Sequence, residues 1–192
     1  VSNMTSCRLC PTGWYQHLIN DTGCIMCPKG WYGPIVEHHN CTQCSVGTYT
    51  ELSKLSYCFQ CPAGYFQSRI NGTACDECVV GRYCPYAMST TETDCPAGYF
   101  GPDSGLSECL ECPLGWRQNA IKQDECETCN PAYYVVNTTS AACIGCPEGY
   151  YQGEASRSFC AICAYGMYNY EVNQQVCKEC PVGKYADMTA GE

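Results

Sequence analysis

The residues best equipped for chemistry are the cysteines. The 192-residue chain has 22 of them. They form Cys-x-x-Cys pairs that begin at Cys7, Cys24, Cys41, Cys58, Cys75, Cys109, Cys126, Cys143, Cys160 and Cys177. Three chemistries use such pairs. Four thiolates spaced as Cys7, Cys10, Cys24 and Cys27 can hold zinc tetrahedrally. A single pair beside a βαβ pattern can cycle between dithiol and disulfide. Tandem pairs in a secreted chain make a framework of structural disulfides. Here 22 does not divide by four, no basic helix follows any pair, and no βαβ pattern surrounds one. The chain also carries five Asn-x-Ser/Thr sequons, which have meaning only in a secretory compartment. Structural disulfides are the reading that fits, with no metal and no cofactor.

The sequons are Asn3, Asn20, Asn40, Asn71 and Asn137. Asn3, Asn20 and Asn71 share one phase, four residues before a first Cys, and are expected to carry N-glycans at an exposed turn. Asn40 is the weakest acceptor, because its middle residue is Cys41. Glu37-His38-His39 is the sole histidine cluster, and adjacent histidines in a variable turn read as solvated surface. Asp76-Glu77 and Asp124-Glu125 with Glu127 lack the alternating oxygen ligands of a calcium loop. The aromatic doublets Trp14-Tyr15, Trp31-Tyr32, Tyr133-Tyr134 and Tyr150-Tyr151 offer one ring for the core and a second that could stack on a sugar. No Ser/His/Asp set, carboxylate dyad or phosphate loop stands out, so an enzyme is not expected.

Charge removes further classes. Ten Lys and Arg against 19 Asp and Glu give −9, with no basic cluster. Nucleic acid and anionic membranes both require clustered cations. No apolar run is long enough for a spanning helix, so direct membrane insertion of this segment is not expected. No charged-then-apolar leader follows Val1.

What must position these residues is a repeat. The step from Cys7 to Cys24 recurs unchanged between successive pairs, and the gap from Cys75 to Cys109 is twice that step. At the skipped start stands Glu92, while Cys95 keeps the second place and an extra Cys84 lies upstream. Other columns share the period: Pro after the second Cys in seven repeats, Gly two residues on in ten of eleven, with Ala132 the exception. An aromatic column follows, from Tyr15 to Tyr185, broken by Arg117 alone, with Trp116 beside it. The consensus is C-x-x-C-P-x-G-x-Y and eight variable residues. Pro sets φ, and the Gly column implies a turn that a Cβ would obstruct. No 3.6 period is sustained, so helix should be scarce.

Leu, Ile, Val and Phe are scarce, with Phe occurring only four times beside 16 Tyr and 22 Cys. So few aliphatic side chains cannot fill one large core, and units this short must stack on their neighbours to be stable. The expected fold is a small disulfide-rich repeat array, an elongated rod or solenoid of 17-residue units with short β-segments and little helix. It forms one continuous array over 1–192, with a degenerate unit at 79–95. The array opens at Cys7 and ends on an unclosed repeat at Cys180, and so reads as a window of a longer repeat protein.

The degenerate unit bears on the pairing. If the second Cys of each pair bonds the first Cys of the next, the bridges are Cys10–Cys24, Cys27–Cys41, Cys44–Cys58 and Cys61–Cys75. Cys78 then lacks a partner at Glu92 and takes Cys84. The order resumes with Cys95–Cys109, Cys112–Cys126, Cys129–Cys143, Cys146–Cys160 and Cys163–Cys177. Bridges within each Cys-x-x-Cys, or an interlocked ladder of the Cys7–Cys27 type, remain open at this point.

The string Cys61-Pro62-Ala63-Gly64-Tyr65-Phe66 running to Cys75 and Cys78 resembles the ephrin-receptor-like cysteine-rich repeat of extracellular proteins. It is also similar to the first, single-disulfide module of TNF-receptor cysteine-rich domains. In that module the Cys before Pro bonds the next Cys, and the resemblance thus implies the sequential pairing. Gly81-Arg82-Tyr83-Cys84-Pro85 also resembles a recurrent form of these repeats. Such modules serve as spacers, adhesins, receptor stalks and coats. The expected function is a structural component of an extracellular, glycosylated filament, stalk or cell-surface coat, stiffened by disulfides and stacking. Its partners would be copies of itself or neighbouring repeats. The alternative is a receptor or adhesion ectodomain binding a protein ligand.

Overall fold

The computed structural model describes residues 6–19, 22–37 and 39–186. The described residues contain no helix, and their regular structure is twenty strands of two residues each. These join in sequence order as ten two-stranded sheets.

Each repeat builds one hairpin for local reasons. In the first, the Trp14 N–H donates to the Pro11 carbonyl at 3.1 Å. Gly13 sits at φ +79°, the conformation that the third position of a type II turn requires. The chain enters β1 (Trp14–Tyr15), passes through the variable loop and returns as β2 (Ile25–Met26), with Tyr15 opposite Ile25. The Cys27 N–H then closes the hairpin on the Gly13 carbonyl at 2.9 Å. The last described hairpin repeats this closure, with the Cys180 N–H on the Gly166 carbonyl at 2.9 Å. A lone two-stranded hairpin of this length is not stable in water.

Backbone bonds between repeats supply the rest, and they recur in three kinds. The Gly30 N–H donates to the Thr50 carbonyl at 3.1 Å, and the Thr50 N–H donates to the Gly72 carbonyl at 3.0 Å. The Asn71 N–H reaches back to the Cys44 carbonyl at 2.9 Å. The chain divides into two compact bodies, residues 1–93 with 104–108 and residues 94–103 with 109–192. The same triplet occurs in the second body: Gly98 to Gln118 at 2.8 Å, Gln118 to Ser140 at 3.1 Å, and Lys122 to Cys95 at 2.8 Å. Net hydrogen bonds are each worth about 1 kcal/mol, and within each body a ladder of them ties one repeat to the next.

The core differs from the expected one. Cystine sulfur fills it: Cys27, Cys44, Cys61, Cys78, Cys95, Cys112, Cys129 and Cys146 are fully buried. The aromatic column stays half-buried from Tyr15 to Tyr168, which corrects the expectation that one ring of each doublet is core. The buried residue is the next one along, in a column of the same period: Gly33, Thr50, Gln67, Cys84, Gly101, Gln118, Val135, Gln152 and Asn169. At Gly33, Thr50, Gln67, Cys84, Gln118 and Gln152 the peptide is bonded to both adjacent repeats, which places the residue between their backbones. The rings lie on a ribbon of two strands, and so few aliphatic residues leave little to cover them.

Positive φ is confined to two columns among the described residues. One is the Gly column, with Ala132 at +73° in its place. The other was not visible in the residue types: Glu37, Lys54, Asn71, Met88, Gly105, Lys122, Ser156 and Asn173. Most residues avoid this left-handed conformation at a cost of about 1–2 kcal/mol. Here the two columns meet. A Cβ on Gly13 would lie 2.0 Å from the Lys54 carbonyl oxygen, and one on Gly64 would lie 2.1 Å from that of Gly105. In the second body, Gly115 faces Ser156 at 2.1 Å, and Gly98 faces Thr139, which stands at the same phase without a positive φ, at 2.3 Å. The offset is the same in all four pairs, and it carries each of these repeats past its neighbour to touch the next but one.

Candidate functional site

The disulfides join Cys10 to Cys24, Cys27 to Cys41, Cys44 to Cys58 and Cys61 to Cys75. Cys78 is joined to Cys84. Cys95 to Cys109, Cys112 to Cys126, Cys129 to Cys143, Cys146 to Cys160 and Cys163 to Cys177 complete the set. Cys7 and Cys180 are free thiols. Nine bridges therefore clasp a whole variable loop, from the turn before the first strand to the start of the second.

Inside the loops a side chain that sequence reasoning missed provides a second clasp. Gln118 Nε2 donates to the Glu125 carbonyl at 2.6 Å, and its Oε1 accepts from the Ala120 N–H at 3.0 Å. Gln67 repeats this with Ala74 at 2.5 Å and Arg69 at 3.0 Å, and Gln152 with Phe159 at 2.8 Å and Glu154 at 3.0 Å. Gln16 bonds Gly23 and Leu18 in the same way. A signal was available, since four glutamines at one phase directly after the aromatic is a column in its own right. Thr50 stands there in another repeat, and its Oγ1 accepts from the Gly30 N–H at 2.9 Å.

The repeat at 79–95 departs from this plan in a defined way. Cys84 occupies the glutamine column, with its Sγ 3.9 Å from the Thr91 carbonyl oxygen, the acceptor that a glutamine would use. Glu92 takes the place of the missing cysteine. Its carboxylate accepts from the Val79 N–H at 2.8 Å and from Arg82 Nη1 at 2.5 Å, and its side chain is only 10% exposed. The second clasp of this repeat is thus an ion pair. Arg117, which breaks the aromatic column, is matched across its hairpin by Glu127, with Nη2 and Oε2 2.8 Å apart.

Of the glycosylation candidates, Asn3 and Asn20 lie outside the described residues. Asn40 and Asn137 are exposed. Asn71 is half-buried at φ +61°, and its Oδ1 is buried without a hydrogen-bond partner. That differs from the freely exposed turn expected for its phase, because the left-handed column packs against the glycine of an earlier repeat. His38 lies outside the described residues and His39 is exposed. Among the described residues no three His, Cys, Asp or Glu side chains come together as a metal site.

Glu77 links two repeats. It accepts from the Tyr65 hydroxyl across the hairpin at 3.2 Å and from Ser104 Oγ at 2.7 Å. The Glu77 charge, then this hydrogen bond and then desolvation raise the Tyr65 phenol above its ordinary value. No helix among the described residues is long and apolar enough to cross a membrane.

The family model described as tyrosine-protein kinase ephrin type A/B receptor-like matches residues 2–37, 47–95 and 133–171. No curated protein matches the chain. The matched family is a cysteine-rich, receptor-ectodomain-like module of extracellular type and not a catalytic one. Its three matches cover well over half of the residues, and the chain belongs to this ephrin-receptor-like family of tandem cysteine-rich repeats.

Proposed function

We propose that the chain is a structural component of an extracellular, glycosylated filament, stalk or cell-surface coat. The observation that carries this reading is the ladder between repeats, because the same three backbone bonds recur at offsets that do not change from one repeat to another. Such bonds use no side chain, so variable loops can diverge without loss of the stacking. A ligand-binding ectodomain would concentrate apolar surface on two or three repeats. Here exposed large apolar side chains recur along the chain, among them Leu18, Ile35, Leu52, Ile121, Val136 and Val182. N-glycans on Asn20, Asn71 and Asn137 would shield the loops from proteases. The array runs as one continuous series, and its partners are neighbouring repeats or further copies of itself.

Electron microscopy of native, unreduced material tests the reading. Uniform fibrils with a short axial repeat are expected, together with a mass loss at the sequons on glycosidase treatment. Short discrete particles capped by a different globular domain would overturn it in favour of a receptor or adhesion ectodomain.

A further inference from the structure

We propose that the loop between Cys84 and Cys95 is a processing site, at which one endoproteolytic cut divides the chain into two covalently separate pieces. In the neighbouring repeats a bridge encloses the whole variable loop: Cys61–Cys75 encloses 62–74, and Cys95–Cys109 encloses 96–108. A cut there leaves both pieces joined. Cys78–Cys84 encloses only 79–83, and residues 85–94 lie under no bridge. Between Cys10 and Cys177 the other unbridged stretches are the two residues inside each Cys-x-x-Cys. Those lie in hairpin strands, such as Phe59–Gln60 and Leu110–Glu111, whose pairing withholds them from a protease cleft.

The loop itself is presented outward. Tyr86 is 75% exposed, Met88 42%, and Ala87 between them is exposed as well. Noncovalent bonds alone hold it down: Met88 N–H to the Cys61 carbonyl at 2.8 Å, Gln67 N–H to the Ser89 carbonyl at 3.0 Å, and Ser89 Oγ to the Tyr86 carbonyl at 2.7 Å. Its far end is fastened by Glu92 where other loops have a cystine. Local opening that breaks a few such bonds is the ordinary route to limited proteolysis of an exposed loop. The fitting enzyme is an endopeptidase that prefers an aromatic residue on the acyl side. Water adds across the Tyr86–Ala87 amide, leaving a carboxylate on Tyr86 and an ammonium on Ala87, with no other reactant.

The test is a limiting chymotrypsin digest of the full chain, with Cys7 and Cys180 alkylated, run on denaturing gels without reductant. Two bands corresponding to 1–86 and 87–192 are expected, the second with Ala87 at its N-terminus. A single unreduced band that resolves into fragments only on reduction would overturn the proposal, because the first cuts would then lie inside bridged loops. Tyr86→Ala should abolish the separation and leave slower cuts elsewhere. The double substitution Cys84→Gln with Glu92→Cys restores the plan of the other repeats, with a bridge from Cys78 to position 92. The cut double variant should stay in one unreduced band. If it separates as the parent does, the covalent argument is wrong.

Discussion

Replacing Gly64 by alanine separates the two demands placed on the glycine column. Gly64 has φ +88°, and an added Cβ would stand 2.1 Å from the Gly105 oxygen and 2.9 Å from its carbonyl carbon. The conformation alone costs alanine about 1–2 kcal/mol. Relieving the contact requires a backbone shift of more than about 1 Å, since ordinary carbon contacts begin near 3.5 Å. A shift of that size forfeits the Gly64 to Cys84 bond at 2.9 Å and the Gly105 to Cys78 bond at 2.8 Å, about 1 kcal/mol each. The expected total is about 3–4 kcal/mol. Gly166 is the control, because it has φ +78° and no described atom within 4 Å of its added Cβ. Its alanine variant should lose only the conformational part, about 1–2 kcal/mol. Native-state hydrogen exchange of the flanking amides reads both. Local opening should accelerate by roughly a few hundred-fold for Gly64→Ala and about tenfold for Gly166→Ala. Equal effects would refute the claim that repeats pack backbone to backbone at an offset of two.

Ala132→Gly should stabilise its repeat by about 1 kcal/mol, since Ala132 already holds a left-handed backbone; slower exchange of the Cys146 amide checks it. Gln152→Leu keeps the volume but strips the Phe159 carbonyl and the Glu154 N–H of their partner, and should cost about 1–3 kcal/mol in chemical denaturation. A double-mutant cycle on Arg117 and Glu127, which are 29% and 55% exposed, should return a coupling of only about 0.2–1 kcal/mol. Tyr65 should titrate above the ordinary tyrosine range, and Glu77→Gln should bring it back; ultraviolet titration reads the shift. Because the folded value is the higher one, the Tyr65 contribution to stability is present below the ordinary range and lost as pH rises through the raised value.

The period made the fold class legible. A short, exact repeat rich in Cys, Pro and Gly, without a helical pattern, specifies a chain of hairpins. Two other columns escaped for different reasons. The glutamine column was present at one phase, but Gly33, Thr50, Cys84, Gly101 and Val135 interrupt it, because what the position requires is a buried peptide and the side chain is secondary. The left-handed column was hidden altogether. Glu37, Lys54, Met88 and Ser156 share no chemistry; they share a dihedral angle, and Lys54, Met88 and Ser156 each turn a carbonyl towards a glycine two repeats upstream. A contact of that kind is made by the backbone and leaves a mark only on its smaller partner. The glycine column therefore announced a turn, while its second duty to a distant repeat stayed out of sight. Glu92 was legible only as an absence of cysteine, and its service as an ionic clasp needed the position of Arg82.

The order of the bridges also decides where tension would run if the chain were pulled from its ends. Force entering at Cys61 crosses the sulfur atoms to Cys75, passes through Asp76 and Glu77, and leaves by Cys78. The residues from 62 to 74 never feel it. In the next repeat the path leaves the bridge at Cys84 and must follow the main chain as far as Cys95. Once the Glu92 clasp and the loop's backbone bonds let go, that stretch can lengthen to roughly 36–40 Å. The chain thereby carries a stored slack in a single repeat, which would yield before any neighbour and recoil when the load is removed.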